Sequence, residues 1–229
     1  MSDASARLGL HFEPDHLVVA ARTLDEGAAW CEATLGVVPA AGGKHPTMGT
    51  HNCLLGVGSP RFARLYLEII AIDPDAAPPA RARWFDLDAP ALQQTIAASP
   101  RLVHWVARTG DIAAGVAALR AAGHDPGDAI AAERMTPRGL LRWRIALRED
   151  GRRLAAGAVP LVIEWGEAHP CDALPASGVS VERIAICGLG ETLAHRLGVS
   201  AAPAGSAPLS VSLDTPRGRV TLDAPALTS

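Results

Sequence analysis

Two histidines and two glutamates recur in the same order along the chain, His16 then Glu68 and His104 then Glu164. Imidazole nitrogens and carboxylate oxygens brought together in this proportion make a site for a divalent ion. Each residue sits in a short apolar or β-branched run: Asp15-His16-Leu-Val-Val-Ala20, Leu65-Tyr-Leu-Glu68-Ile-Ile-Ala-Ile72, Leu102-Val-His104-Trp-Val-Ala107 and Pro160-Leu-Val-Ile-Glu164-Trp165. Runs of this kind bounded by turn residues read as strands, and apolar character on both faces predicts cover on both sides. A carboxylate in such a strand is costly unless it is paired, hydrogen-bonded or metal-bound, so Glu68 and Glu164 each need a partner. The plainer alternatives are core histidines with satisfied ring nitrogens, and glutamates paired with buried arginines such as Arg64 or Arg142.

The elements that must position these residues repeat as well. After the His16 strand, Thr23-Leu-Asp-Glu26 has capping-box spacing, and the segment it opens stops at Leu35-Gly36, where glycine can take the left-handed cap. After the His104 strand, Thr109-Gly-Asp111 leads into Ile112 to Gly123, a second helix closed by glycine. The runs 49–56 and 140–147 supply further strands, so each copy reads β-α-β-β-β, its second strand carrying the weakest pattern. A third copy, without the histidine and glutamate, comes next as Val179 to Ile186, a helix from Glu191 to Gly198, and two strands joined at Thr215-Pro-Arg-Gly218, a turn signal. Proline-rich Asp73 to Pro79 marks the first junction, and a short helix is expected over Pro90 to Ala98. The expected organisation is a first module over 1–80, an inter-module segment over 81–100, a second module over 101–170 and a C-terminal β-α-β-β half-module over 171–229.

Composition narrows the function classes. A formal charge of -3 provides no basic field for nucleic acid, and no Lys/Arg run compensates for it. The polar first residues lack the apolar segment of a secretory signal, and no stretch is long enough to span a bilayer, so the expectation is a soluble cytoplasmic protein. The four cysteines, Cys31, Cys53, Cys171 and Cys187, form no C-x-x-C pair and read as small core residues.

Two β-α-β-β-β modules with histidine on the first strand and glutamate on the last resemble the vicinal oxygen chelate superfamily. The recurring segments of its glyoxalase-like group are resembled by Asp15-His16-Leu-Val, His45-Pro-Thr-Met-Gly-Thr-His51-Asn52, Tyr66-Leu-Glu68-Ile-Ile-Ala and Ile163-Glu164-Trp165-Gly166. The resemblance implies an α+β fold of paired modules whose mixed sheet curves into a cup, with the C-terminal half-module appended. It also implies a divalent metal (Ni, Co, Zn, Mn or Fe) held by His16, Glu68, His104 and Glu164. Strand alternation puts His104 on a face with Leu102 and Val106, and Glu164 with Val162. The implied reaction is that of a lyase or isomerase on a small vicinal-oxygen compound, the metal acting as Lewis acid while Glu164 or Glu68 shuttles the proton. His16, His104 and Glu164 also match the facial triad of an Fe(II) extradiol-type dioxygenase, against which Glu68 as a fourth ligand argues. Metal-free members of bleomycin-resistance type, which trap a small molecule in the cup, supply the third reading.

His45, His51 and Asn52 flank a turn-rich stretch that could reach a polar substrate or simply tie down backbone groups. Trp84-Phe85, Trp143 and Trp165 read as packing residues rather than a substrate platform. His11, His124, His169 and His195 receive no role. The expected partner is a small molecule, with the two copies facing each other within one chain or across a homodimer.

Overall fold

The computed structural model describes residues 11–226. The first module runs β1 (Glu13–Ala20), α1 (Leu24–Leu35), β2 (Ala40–His45), β3 (Thr50–Gly56) and β4 (Tyr66–Ile72). Thr23 caps α1 by accepting from Glu26 N at 3.2 Å, and Gly36 ends it at φ 78°, as the sequence predicts. A 3-10 turn (Trp84–Asp86) and α2 (Pro90–Ala98) form the inter-module segment. The second module continues as β5 (Arg101–Arg108), α3 (Ile112–Ala121), β6 (Asp128–Thr136), β7 (Gly139–Leu147) and β8 (Leu161–Trp165).

Both modules share one eight-stranded mixed sheet in the order β2-β3-β4-β1-β5-β8-β7-β6. Each has the same internal order, and the antiparallel pairing of β1 with β5 joins them back to back. The two copies therefore meet within a single chain, and the sheet curves until it nearly closes on itself.

The sheet has two distinct cores. Its outer face packs Leu17, Val19, Leu67, Ile69, Trp105 and Val162 against the helices α1 and α3 and the C-terminal unit. Its inner face packs Val18, Ile70, Val106, Leu161 and Ile163 against Trp84, Phe85, Leu87, Leu92 and Ile96. The inter-module segment is thus inside the cup, where it fills part of the space between the modules. Phe85 takes φ 61° and Asp86 φ 59° to make this turn, a left-handed conformation that costs an ordinary side chain of order 1–3 kcal/mol and that burial of Trp84 and Phe85 offsets.

The C-terminal unit departs from the expected half-module. It comprises β9 (Ser180–Cys187), α4 (Glu191–Arg196), β10 (Ser200–Ala202), β11 (Leu209–Thr215) and β12 (Gly218–Asp223), with the expected turn between the last two. The additional short strand β10 pairs parallel with β9, and the order β10-β9-β11-β12 differs from that of the modules. Val181, Ile184, Val211 and Leu213 face the outer core, so the unit is a separate sheet buttressing the cup from outside. Among the described residues no helix is long and apolar enough to cross a membrane.

Candidate active site

A β-bulge in β1 generates the central feature of the cup. Against β5, Pro14 pairs with Ala107 and His16 with Val106, which leaves Asp15 as the extra residue. Asp15 and His16, adjacent in sequence, thereby come into contact, Asp15 Oδ1 lying 2.7 Å from His16 Nδ1. Asp15 is fully buried, and its second oxygen accepts from Trp165 Nε1 at 3.0 Å and lies 2.9 Å from His169 Nε2. Burial by itself would raise its pKa, but the hydrogen bonds and charges of His16 and His169 outweigh it and hold the carboxyl at about 2. An ionised Asp15 fixes a proton on His16 Nδ1 and leaves Nε2 for other work.

Nε2 faces Glu68, whose Oε2 is 3.7 Å away. The other oxygen of Glu68, Oε1, accepts from Asn52 Nδ2 at 2.6 Å. The amide of Asn52 is oriented by Gly43, whose backbone N–H donates to Oδ1 at 2.8 Å. Gly42 makes this possible, since a Cβ there would lie 2.1 Å from Asn52 Oδ1. Glu68 is therefore held with one oxygen occupied and one turned towards His16. Tyr66 stacks on the His16 ring with centroids 4.7 Å apart, which fixes the plane of the imidazole.

These residues open on a cavity of about 40 Å³, room for about three waters. Its lining includes His45, Trp84, Arg134, Trp143 and Trp165 beside His16, Asn52 and Glu68. Burial, reinforced by the positive charge of Arg134, pushes His45 down to about 3, so its imidazole is neutral at physiological pH. The tryptophans expected as packing residues form the walls of the cavity.

Of the residues predicted from sequence, His16, Glu68, His45 and Asn52 meet here. His51 does not line the cavity, because strand alternation turns it away from Asn52, and its backbone pairs with Lys44 and Ala71. Glu164 also lies elsewhere. On β8, Leu161 and Ile163 point into the cup and Val162 points out, and Glu164 shares the outward face of Val162. Its Oε2 accepts from Ile112 N at 2.7 Å and from Arg144 Nη2 at 2.8 Å, so it caps the start of α3. Arg142 and Arg64, the partners weighed for the two glutamates, bind Glu133 and Asp172 instead.

Register explains why the repeated glutamate misleads. His16 pairs with Val106 and Val18 with His104, so a local twofold exchanges His16 with His104 and Val18 with Val106. Glu68 stands beside Val18, and Leu161 stands beside Val106. The counterpart of Glu68 in the second module is Leu161, three residues before Glu164. His104 does occupy the position equivalent to His16, but Phe85 covers it with ring centroids 5.3 Å apart. Among the described residues neither of its ring nitrogens has a hydrogen-bond partner. Burial, with Arg153 as the next cause, lowers its pKa well below the usual value, and the ring is neutral. Leu102 lies on the opposite face from His104, contrary to simple alternation, because a second bulge at Val103 shifts the register.

The profile of the Glyoxalase-like domain matches residues 15–202. The chain belongs to this family. Its fold is shared with a solved structure of a hypothetical protein from Staphylococcus aureus, 15% identical over 94% of this chain and 87% of that one, with a TM-score of 0.54. Methylmalonyl-CoA epimerase from Mycobacterium tuberculosis is 17% identical over 70% of this chain and 91% of that one, at a TM-score of 0.39. The hypothetical protein BH1468 from Bacillus halodurans C-125 is 11% identical over 69% and 96%, at 0.40. No curated protein sequence matches the chain. At 15% identity the likeness to the staphylococcal protein is one of fold, and the chemistry has to be read from the site.

In this glyoxalase-like protein the donors do not fit the four-ligand metal site that its sequence suggests. Among the described residues no three His, Cys, Asp or Glu side chains converge as a metal cage would require. One carboxylate is replaced in register by Leu161, Glu164 is on the outer face, and His104 is sealed behind Phe85. The triad of His16, His104 and Glu164 expected of an extradiol dioxygenase is dispersed for the same reasons. Three residues essential to the geometry carry little sequence signal: Asp15 is visible only as the neighbour of His16, His169 sits at a module boundary, and Arg134 lies on the weakly patterned β6.

Proposed function

We propose that this protein is an enzyme that moves a proton on a small compound with neighbouring oxygens, as an isomerase or lyase, with His16 and Glu68 as its acid–base pair. One observation carries the reading: His16 Nε2 and Glu68 Oε2 stand side by side, 3.7 Å apart, on the wall of the cavity, each oriented from behind by its own partner, Asp15 and Asn52. Two groups that exchange protons, fixed next to each other on one wall of a cavity so that both can reach adjacent atoms of a bound compound, are what proton abstraction next to a carbonyl requires.

Glu68 Oε2 would take the proton from the carbon beside the carbonyl, the electron pair moving to the carbonyl oxygen, while His16 Nε2–H protonates that oxygen. Return of the proton from Glu68 to the former carbonyl carbon, while His16 Nε2 takes the proton of the hydroxyl on the first carbon, completes an isomerisation, and departure of an anionic group from the next carbon completes an elimination. Asp15 stabilises the positive charge that His16 carries during the exchange, and Trp84, Trp143 and Trp165 keep bulk water from quenching the intermediate.

The test is exchange of the α-carbon hydrogens of glycolaldehyde, glyceraldehyde and pyruvate with D2O, monitored by NMR. Exchange above the buffer rate that falls at least about 100-fold in Glu68→Gln and in His16→Ala supports the assignment. Exchange that is absent from the wild type, or equal in Glu68→Gln, refutes it.

A further inference from the structure

Among the described residues, Arg134 is the one cation that reaches the cavity, and it does so from the far edge of the sheet. It stands on β6, while the glycine it covers, Gly43, stands on β2, and these are the two terminal strands of the eight-stranded order. A Cβ added at Gly43 would lie 2.5 Å from Arg134 Nη1, so the guanidinium rests directly over this glycine and brings the two sheet edges together. Arg134 also lines the cavity with His16 and Glu68.

The charge of this guanidinium is not answered within the site. Nη1 is buried and, among the described residues, has no hydrogen-bond partner. The carboxylate beside it, Glu133, is taken by Arg142 at 3.0 Å. Glu68, the carboxylate of the cavity, already serves Asn52 with one oxygen and faces His16 with the other. His45 hydrogen-bonds Thr50 and cannot act as a counter-ion, and Tyr66, whose pKa burial raises well above the usual value, stays a neutral phenol. A buried guanidinium donor left over in a cavity is a receptor for an anionic oxygen, and its planar fork suits a carboxylate.

We propose that Arg134 is the binding residue for a carboxylate carried by the substrate, which makes the ligand a small hydroxy- or oxo-acid rather than a neutral hydroxycarbonyl compound. For the chemistry after binding the inference rests on the acid–base reading, since Arg134 would hold the carboxylate end while the adjacent carbon meets His16 and Glu68 on the cavity wall. A volume of about 40 Å³ restricts the ligand to the smallest acids and requires Arg134 and its strand to shift outward as one enters.

The experiment measures binding without turnover, through the fluorescence of the three tryptophans that wall the cavity. Glycolate and malonate are titrated against their neutral amides, glycolamide and malonamide, into wild type, Arg134→Gln and Arg134→Lys. Saturable binding of the acids, at least tenfold tighter than the amides, that is lost in Arg134→Gln and partly kept in Arg134→Lys is the expected result. Acids and amides binding alike, or Arg134→Gln binding acids as wild type does, overturns the proposal, as does the absence of any saturable binding of the acids. The same titration in Glu68→Gln separates the two readings: carboxylate binding that survives there, while exchange is absent from the wild type or unchanged in Glu68→Gln, keeps Arg134 as the receptor and removes Glu68 as the base.

Discussion

Replacing Asp15 with asparagine removes the charge on which the histidine network depends while preserving its shape. Asp15 receives three ring N–H groups, from His16 at 2.7 Å, His169 at 2.9 Å and Trp165 at 3.0 Å, with no exposure to solvent. An asparagine offers one acceptor oxygen and turns an NH2 towards the remaining donors, so at least one buried donor is left unmatched at a cost of about 1–3 kcal/mol. The charge adds to this. A carboxyl held at about 2 against an ordinary 3.8 means that ionised Asp15 favours the folded state by about 2 to 3 kcal/mol. Because the folded pKa is the lower one, this contribution is complete above about pH 4 and is lost as pH falls through about 2. Asp15→Asn should therefore be about 3 kcal/mol less stable than wild type in urea unfolding at pH 7, and the gap should narrow when the comparison is repeated near pH 2.5. Nitrogen NMR of the imidazoles supplies a second readout, because His16 should lose its fixed Nδ1 proton in the variant. A variant within about 0.5 kcal/mol of wild type at pH 7, with an unchanged acid limb, would refute the assignment of Asp15 as the buried anchor of the site.

The other predictions concern residues that sequence and structure place differently. His104→Leu should raise stability by about 1 kcal/mol, since it removes two unpartnered buried nitrogens from an apolar pocket, and a thermal melt that falls would mean that His104 has a partner of consequence. Glu164→Ala should cost about 1 kcal/mol through the lost cap on Ile112 N and leave ligand binding in the cavity unchanged, which a fluorescence titration checks; weakened binding would return Glu164 to the site. Gly27→Ala, usually stabilising in a helix, should here cost about 1–3 kcal/mol in urea unfolding, because the added Cβ would lie 2.4 Å from Ile69 Cγ2 where α1 touches β4.

The fold is legible in the sequence because its signals are local. The capped start of α1 at Thr23, its glycine stop at Gly36 and the span Pro90–Ala98 of α2 arise from residue chemistry that acts within one turn of chain. The apolar runs of β1, β4, β5 and β8 announce strands buried on both faces. The C-terminal unit is less legible because the order of strands in a sheet is decided by which faces find apolar partners, and β9 finds them between β10 and β11. His16, Glu68, Asn52 and His45 are recoverable since each lies in a segment with a recognisable neighbourhood. Arg134 and His169 are not, because their roles arise from chain closure that brings residues far apart in sequence to one cavity.

Glu164 illustrates the physical limit most clearly. A strand reverses its facing with every residue, so a motif defined by order and approximate spacing does not specify which side of the sheet a carboxylate occupies. The structure resolves this through pairing: the twofold that exchanges His16 with His104 carries Glu68 onto Leu161, and the glutamate three positions later is delivered to the opposite face. The inter-module segment completes the asymmetry, since Phe85 at φ 61° closes over His104 while the equivalent space beside His16 stays open. The doubled module thus supplies the scaffold, and the His16–Glu68 pair on the cavity wall belongs to one half. The proposed proton transfer uses two fixed groups of that half, whereas a symmetric site of four ligands would need a register that the second module does not have.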